Sequence, residues 1–496
     1  MKKIVFIESR PPDYHVFTRM ALPRLGTVLL GTILKQHGYE VKCYVETIQE
    51  IDIADLLTAD AVGLSTITST SRRAYEIADL LKTAGIPVFI GGPHVTFMTE
   101  EALEHCDYVL RGEADDIIVD FIKALETGQG FESITGLSYR SGGRVIHNKE
   151  TPLCKDINSL PAPDFSLIRG VEGHGIKKFS ITPVMTSRGC PFDCNFCSVT
   201  AMFGQKYRFR TKERIIDELR AHKDAGCKWV FFYDDNFVAH KKRTKELLHE
   251  MIQAGLTPHW TAQVRADVAK DEELMDLMQR SKCHTVYIGF ESINPATLKA
   301  YNKKQSLDDI EGCIKLLHKK GIRIHGMFVF GSDEDTTDTI EKTVRFAKKN
   351  DLETVQFMIL TPLPGTKTYR DLDGAGRILS KDWSLYDAHH LVFQPKQMSY
   401  YELQAGTIDA VRRFYSVGQI AKRAVRLDLF NVALKTYGRS VTKKWIAKNQ
   451  YFLDYAKALT AAGKNIELAA KKTAEDLKEK FRQFELSGAI IIPKTR

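Results

Sequence analysis

The stretch Thr186-Ser-Arg-Gly-Cys-Pro-Phe-Asp-Cys-Asn-Phe-Cys-Ser198 places the thiols of Cys190, Cys194 and Cys197 at C-x3-C-x2-C spacing. Three thiolates this close together favour one shared inorganic partner. A zinc site would need a fourth ligand, usually from a second closely spaced Cys or His pair, and the sequence has no such pair after this stretch. An iron–sulfur cube held by three cysteines leaves one iron open to a small molecule. The spacing therefore favours a reactive cluster over a structural metal site.

This motif, with Phe196 before its last cysteine, resembles the signature of radical S-adenosylmethionine (radical SAM) enzymes. The resemblance implies a [4Fe-4S] cluster on the three cysteines, with SAM bound to the open iron and Phe196 beside it. In that family an electron from the reduced cluster cleaves SAM to a 5'-deoxyadenosyl radical. Three unrelated buried cysteines, or part of a zinc site, are the alternatives that the residues leave open.

Six strand–helix repeats surround and follow the motif. Their strands are predicted at 181–186, 229–233, 259–264, 285–290, 323–330 and 354–360. Repeats of this kind predict a partial (β/α)6 parallel barrel, whose active site lies at the carboxyl ends of the strands.

Polar residues cluster at those strand ends, where the resemblance implies contacts with SAM. They are Asp234 and Asp235, Gln263 and Arg265, and Glu291 and Ser292. In the family the first pair occupies the position that touches the SAM amino group, and the second pair lies where ribose or carboxylate contacts are usual. A carboxylate suits an ammonium group and an arginine suits a carboxylate. The alternative for each residue is a strand-end cap or a salt bridge.

The N-terminal third predicts a doubly wound parallel sheet, Rossmann-like, with strands at 2–7, 41–45, 61–65, 87–93 and 108–113 alternating with helices. Ser65, Gly91 and Gly92 lie at the carboxyl ends of two of these strands. The pattern resembles the cobalamin-binding domain that precedes many radical SAM barrels. The resemblance implies that these three residues line the cobalamin site, although glycines there also serve simply as turns.

Asp13-Tyr-His15 resembles the start of the D-x-H-x-x-G loop in which a histidine binds cobalt, but the glycine is absent. We therefore consider His15 a candidate cobalt ligand. Because the glycine of the motif is missing, the alternative remains that this domain no longer binds cobalamin.

We predict four parts of the chain. They are a cobalamin-binding-like domain at 1–130, a connector at 131–179, a radical SAM barrel at 180–395 and a mainly helical domain at 396–496. The connector contains a predicted hairpin at 136–146 that turns at two glycines. Tyr386, His389 and His390 precede the last part, and we favour structural roles for them over substrate contact.

The composition limits the class of protein, its cellular compartment and its partners. The 496 residues carry a formal net charge of +9, with 43% hydrophobic and 27% charged residues, ordinary values for a globular protein. No secretory signal or membrane span is expected, and nine cysteines without a disulfide pattern favour the cytoplasm. No RNA-binding motif is present, so nucleic acid is not an expected partner. Basic residues recur in the C-terminal helices, which predicts either a solvated face or peripheral contact with a membrane.

The resemblance implies a cytoplasmic radical SAM enzyme that transfers a methyl group from cobalamin to an unactivated carbon. It also implies an external electron donor such as flavodoxin or ferredoxin, and a small-molecule or lipid-like substrate. A radical SAM oxidoreductase, cyclase or dehydratase with a vestigial cobalamin domain is the alternative enzyme. A non-catalytic cobalamin or redox sensor is disfavoured because it needs no open iron.

Overall fold

The computed structural model describes residues 2–11, 22–171, 179 and 181–462. The first sheet has five parallel strands in the order β2-β1-β3-β4-β5. These strands are β1 (Lys3–Glu8), β2 (Glu40–Val45), β3 (Ala61–Ser65), β4 (Val88–Gly91) and β5 (Tyr108–Leu110). Their near-continuous apolar sequences are buried, as expected for a parallel sheet covered on both faces. The doubly wound fold predicted for this part is confirmed.

Helices cover both faces of this sheet. They are α1 (Leu25–Gln36), α2 (Ile53–Leu56), α3 (Ser71–Thr83), α4 (Pro93–Phe97), α5 (Thr99–His105) and α6 (Ile118–Thr127). Two separate apolar clusters result, one on each face, with β1 contributing Ile4 and Phe6 to one and Val5 and Ile7 to the other. This split follows from the alternation of side chains along a strand.

The predicted hairpin forms, but it extends the first sheet. Its strands β6 (Leu137–Ser141) and β7 (Arg144–His147) are antiparallel, and β6 pairs with β5 through Tyr108 and Tyr139. The sheet therefore continues past residue 130, where we placed the start of the connector. Aromatic packing stabilises the pairing of the hairpin with β5, because the Tyr108 ring packs against Phe131 and Tyr139 at this edge of the sheet.

The second sheet contains six parallel strands in the order β15-β14-β13-β12-β11-β8, as the six repeats predict. These strands are β8 (Thr182–Val184), β11 (Trp229–Phe232), β12 (His259–Val264), β13 (Cys283–Glu291), β14 (Arg323–Phe330) and β15 (Thr354–Ile359). Between β8 and β11, the short strands β9 (Ser187–Arg188) and β10 (Arg208–Phe209) pair antiparallel.

The helices of this part lie between its strands and over its outer face. They are α7 (Val199–Phe203), α8 (Lys212–Asp224), α9 (Lys241–Gln253), α10 (Glu272–Arg280), α11 (Pro295–Ala300), α12 (Leu307–Lys319), α13 (Thr337–Lys349) and α14 (Lys367–Gly374). Side-chain caps at Thr211, Asp271 and Ser306 begin α8, α10 and α12. Leucine, isoleucine and methionine side chains from these helices pack on the outward faces of β11 to β15.

Four more helices follow the barrel, in agreement with the predicted helical end of the chain. They are α15 (Tyr400–Phe414), α16 (Val417–Val425), α17 (Leu429–Lys448) and α18 (Gln450–Ala461). The Tyr415 hydroxyl donates to the Val355 carbonyl, which fixes the end of α15 at the start of β15. The prediction of helix up to residue 480 extends beyond the described residues. No helix in the described ranges has the length and apolarity required to cross a bilayer.

The carboxyl ends of the two large sheets face each other. Tyr233, directly after β11, is close enough to Glu8 at the end of β1, and to Arg24, for their charges to act on its hydroxyl. Arg188 in β9 binds Asp115, which follows β5, at 2.6 Å. The space between the sheets therefore collects the loops that follow the strands of both, the places where parallel α/β folds bind ligands.

Candidate active site

The cysteine loop is attached to the barrel through Asp234. The Asp234 carboxylate accepts from the backbone N–H groups of Thr186 and Ser187 at 2.7 and 2.9 Å, and also from the Thr186 hydroxyl. These bonds turn the chain away from β11 and end β8 at Val184, short of the residue 186 that the sequence predicts. Asp234 is buried and its oxygens are engaged by the loop. Its predicted contact with the SAM amino group stays a prediction.

Hydrogen bonds to the end of α11 and to the residues that follow it fix the second half of the cysteine loop. The Asn195 side chain donates to the Ala300 carbonyl at 2.8 Å, and the Asn302 side chain donates to the Asp193 carbonyl at 2.7 Å. Phe196 packs against Tyr301 with ring centroids 5.0 Å apart. The aromatic before the last cysteine thus fixes the loop on α11. Its predicted contact with SAM stays a prediction.

The three thiols are free and partly exposed. Burial raises the pKa of the Cys190 thiol, and it raises that of Cys197 to about 12. The backbone N–H groups of Phe192 and Val199 act in the opposite direction on these two sulfurs. Thiolates in such surroundings require a bound cation, and N–H donors to sulfur are usual at iron–sulfur sites.

No three His, Cys, Asp or Glu side chains among the described residues converge on a single metal ion. The three cysteines remain our prediction for the cluster ligands.

Asp235 is the member of the acidic pair that is open to the site. Its side chain is accessible to solvent although protein atoms surround it on most sides. This burial, followed by the neighbouring Asp234 charge, raises the pKa of Asp235 to about 7. Its charge also acts on Cys190 and Cys197, so it lies on the cysteine side of the barrel. A carboxylate placed here can accept an ammonium group.

Gln263 and Arg265 stand at the end of β12. The Arg265 guanidinium lies over the Phe192 ring, 3.8 Å from its centroid, and donates to the Lys304 carbonyl. It is buried, and its Nε has no hydrogen-bond partner within the described residues. Arg265 therefore joins the cysteine loop to β12, and its Nε lies 3.8 Å from the Asp267 carboxylate, in a long ion pair. Gln263 is partly exposed on the inner face of the same strand.

Glu291 and Ser292 end β13 in a strained turn. Glu291 has a φ of 60°, which is unfavourable for a residue with a Cβ. It forms a buried ion pair with Lys303 at 2.7 Å. The Ser292 hydroxyl accepts from the Asn294 N–H and is buried. Glu291 thus forms a salt bridge in this structure, with a partner, Lys303, that no local spacing in the sequence reveals. The SAM contacts predicted for Glu291 and Ser292 stay predictions.

Ser65, Gly91 and Gly92 lie together at the carboxyl edge of the first sheet, and all three are partly exposed. Gly92 has a φ of 107°, and a Cβ there would lie 2.4 Å from the Thr66 carbonyl oxygen. A Cβ on Gly91 would meet only the Leu110 carbonyl oxygen, at 3.6 Å. Gly92 is therefore required by its own turn against Thr66, and the role of these three residues in holding cobalamin stays a prediction. His15 lies outside the described residues.

Two ion pairs that the sequence did not predict connect this edge to the cysteine loop. Arg208 in β10 binds Glu113, after β5, through two hydrogen bonds of 2.6 and 2.8 Å, and both side chains are buried. Arg188, two residues before Cys190, binds Asp115. We call these four residues the inter-sheet clamp. It fixes the geometry between the two sets of strand ends.

The interior of the barrel is only partly filled. On β11 and β15 the outward side chains are buried, whereas the inward ones are half-exposed. Phe231 and Tyr287 lie on strands separated by β12, yet their rings approach to 5.9 Å, so both face the concave side. The inward surface combines rings and thioethers with polar side chains: Phe231, Tyr287, Met327 and Met358 share it with Thr261, Gln263, His325, Thr354 and Gln356. An open lumen of this kind suits a ring-bearing molecule that also carries polar groups.

The histidines after the barrel have partners of their own. His390 bonds to Asp387 at 2.9 Å and to Asn449 at 3.1 Å, and it packs against Trp445. The Tyr386 hydroxyl donates to the Ser380 carbonyl. These contacts agree with the structural roles favoured from the sequence.

A sheet with open strand ends facing a barrel that carries three free thiols defines an enzyme built for two cofactors. Comparison with known proteins agrees. The family model for the radical SAM superfamily matches residues 184–347, and the model for the B12 binding domain matches residues 19–122.

An uncharacterized methyltransferase of Pyrococcus horikoshii is 32% identical over 457 residues, covering 86% of this chain and 98% of that protein. Bacteriochlorophyllide d C-12(1)-methyltransferase of Chlorobaculum tepidum is 30% identical over 403 residues, covering 80% and 84%. The structure of OxsB, a cobalamin-dependent SAM radical enzyme with aqua-cobalamin and SAM bound, superposes with a TM-score of 0.67 at 15% identity. That superposition covers 100% of this chain and 82% of OxsB.

The chain belongs to the radical SAM superfamily, in its cobalamin-binding class. It is an enzyme, and the cofactors of its class are a [4Fe-4S] cluster, SAM and cobalamin. The resemblance noted in the sequence is thereby confirmed, and so is the fold class. Which residues hold each cofactor stays a prediction.

Proposed function

We propose that this enzyme transfers a methyl group to an unactivated carbon of a ring-bearing small molecule. The observation that carries the proposal is the opposed arrangement of the two sets of strand ends, one with three free thiols and the other with small residues. The bound cluster would supply the electron that cleaves SAM, and the bound cobalamin would supply the methyl group.

The residues of the chain have separate tasks in this proposal. Cys190, Cys194 and Cys197 hold the cluster, while Asp234 and Phe196 fix their loop. Asp235 accepts the ammonium group of SAM. The Arg265 Nε, which has no hydrogen-bond partner within the described residues, faces the carboxylate of SAM. Ser65, Gly91 and Gly92 receive cobalamin. The clamp around Glu113 and Arg208 keeps the two cofactors at a fixed separation.

The lumen supports the substrate class. Aromatic rings and thioethers bind flat rings through large contact areas, and the polar side chains beside them can bind polar groups. The relative from Chlorobaculum tepidum is a bacteriochlorophyllide d C-12(1)-methyltransferase. We propose a ring-bearing small-molecule substrate for this enzyme, without assigning its identity.

We also propose an external electron donor such as flavodoxin or ferredoxin, and a cytoplasmic setting. None of the nine cysteines, all of which lie in the described ranges, forms a disulfide, which suits a reducing compartment. The membrane contact expected from the basic C-terminal helices is also a proposal, and its surface is the turn between α16 and α17.

The test uses anaerobically purified, cluster-reconstituted protein with SAM, dithionite and hydroxocobalamin. We expect both 5'-deoxyadenosine and S-adenosylhomocysteine from the wild type and neither from Cys194→Ala. Cys227→Ala is the matched control, because Cys227 is a partly exposed thiol outside the motif. Formation of 5'-deoxyadenosine alone would favour radical chemistry without methyl transfer. Retention of both products in Cys194→Ala would contradict the cluster assignment.

A further inference from the structure

Four large apolar side chains project from the turn between α16 and α17. Val425 is 85% exposed, Leu427 83%, Leu429 72% and Phe430 48%. We call these four residues the apolar corner. Isolated exposed leucines are ordinary on a protein surface, but four large apolar residues within six positions form a patch.

Neither packing nor backbone preference accounts for Leu427. Its φ is 57°, in the left-handed region. The Asp428 N–H donates to the Arg423 carbonyl across this position, in the manner of a helix end that glycine usually occupies. Leucine is strained there and gains no burial within the described residues. The described fold therefore does not explain a leucine at this position.

The corner lies at the amino-terminal mouth of the barrel. The Phe430 ring packs edge-on against His284 with centroids 5.7 Å apart, and the Arg323 guanidinium lies 4.7 Å from the Phe430 centroid. His284 and Arg323 belong to the first residues of β13 and β14. The apolar corner thus borders the opening of the barrel that is opposite to the cofactor site.

The surroundings of the corner are basic. Lys422, Arg423 and Arg426 share Asp351, and Arg423 also binds Asp428, so three cations face two carboxylates. Further lysines stand at the same edge of the barrel, directly before a strand or in the last turn of a helix. Lys228, Lys282, Lys319 and Lys349 are exposed there, with no carboxylate within ion-pair distance in the described ranges.

We propose that the apolar corner inserts into an anionic membrane surface, with the surrounding lysines facing the lipid headgroups. Protruding apolar side chains, beside a cluster with excess positive charge and at the barrel edge that carries four unpaired lysines, match the two demands of an interfacial anchor, which are an acyl boundary and a negative surface. A protein partner would instead require a flatter face with interspersed carboxylates. The surface does not depend on the reaction, although a membrane-borne substrate would suit the function proposed above.

The test is flotation of the full-length protein with vesicles of phosphatidylcholine containing about one third phosphatidylglycerol. We expect the wild type to float with these vesicles and only weakly with pure phosphatidylcholine. The double variant Val425→Ser/Leu427→Gly should lose about fivefold or more of this binding. Glycine relieves the strained position, so the variant should not lose thermal stability.

Leu80→Ala is the matched control, since Leu80 is 49% exposed on α3 in the first domain. It should float as the wild type does. Equal flotation of the double variant and the wild type, or no flotation of the wild type, would overturn the proposal. A wild type that is dimeric by sedimentation velocity, with a monomeric double variant and no flotation of either, would assign the corner to self-association. Because no turnover is measured, failure here leaves the proposed reaction untouched.

Discussion

Asp234 and Asp235 are neighbours in the chain, yet the structure gives their carboxylates opposite surroundings. Asp234 is buried and accepts hydrogen bonds from the cysteine loop, whereas the Asp235 side chain is exposed. A buried acceptor that satisfies backbone donors contributes to stability, because its loss leaves those donors without partners. Burial raises the pKa of both carboxyls, but hydrogen bonds from Thr186 and Ser187 and the Arg243 charge counteract this at Asp234, whereas the Asp235 carboxylate receives no such compensation from the described residues.

We expect Asp235→Asn to stabilise the apoprotein at pH 8. The pKa of Asp235 is about 7 in the folded protein and roughly 4 in an unfolded chain. The ionised form is therefore disfavoured by folding, and the resulting penalty grows as the pH rises from the unfolded value to the folded one. The melting temperature of the variant should exceed that of the wild type at pH 8, and by less at pH 5. An equal gain at both pH values would contradict this origin.

The same substitution should impair the enzyme if Asp235 accepts the SAM ammonium group. We expect 5'-deoxyadenosine formation by the reconstituted variant to fall about tenfold or more. Asp234→Ala is the contrasting variant, because it leaves the N–H groups of Thr186 and Ser187 unpaired and should destabilise the fold by about 2 to 4 kcal/mol. Opposite effects on stability from adjacent residues would separate a positioning group from a ligand-binding one.

At the scale of elements, the clamp joins loops that follow strands of different sheets. Glu113 and Arg208 form a buried pair, and Arg208 also donates to the carbonyls of Cys154 and Phe203. Removing one partner of such a pair leaves an uncompensated charge in the interior, which typically costs about 3 to 5 kcal/mol. Loss of this ion pair is therefore expected to destabilise both the loop after β5 and the segment around β10.

We accordingly predict that Glu113→Gln lowers the free energy of unfolding by about 3 kcal/mol in urea denaturation. The matched control is Glu250→Gln, which breaks the exposed pair with Lys212 and should change the value by less than about 1 kcal/mol. Glu113→Gln should also lower the iron retained after reconstitution, because Arg188 and Arg208 flank the cysteine loop. Similar losses from the two variants would show that the clamp has no special role.

Elements and partners differ in how far the sequence specifies them. The strands β12 and β14 were predicted at their observed bounds, because parallel strands carry apolar runs between helices with clear ends. The end of β8 was not, since Asp234, 48 positions away, takes up the N–H of Thr186. Lys303 pairs with Glu291 across 12 positions, and Arg208 pairs with Glu113 across 95. Such partners are set by the packing of the whole chain, which no local periodicity records.

At the scale of the whole molecule, the opposed strand ends imply that ligand binding at one sheet stabilises the other. Tyr233 after β11 lies near Glu8 and Arg24 of the first sheet, and Trp383 donates to Glu101 of α5 at 2.8 Å. With the clamp, these contacts join the first domain to the barrel on more than one side. A ligand between the sheets would thus be enclosed by both.

Hydrogen exchange tests this arrangement with cluster-free protein and hydroxocobalamin. We expect slower exchange at 61–70 and 88–97, where the ligand is proposed to bind, and also at 185–190 and 229–236 across the interface, because a ligand that binds the folded state suppresses local opening of everything that encloses it. Helix α9, on the outer face of the barrel, should exchange unchanged and serves as the internal control. In Glu113→Gln the effect at 185–190 should weaken while that at 61–70 persists. Protection confined to the first domain would mean that cobalamin binds away from the barrel, and the facing strand ends would then not form a common site.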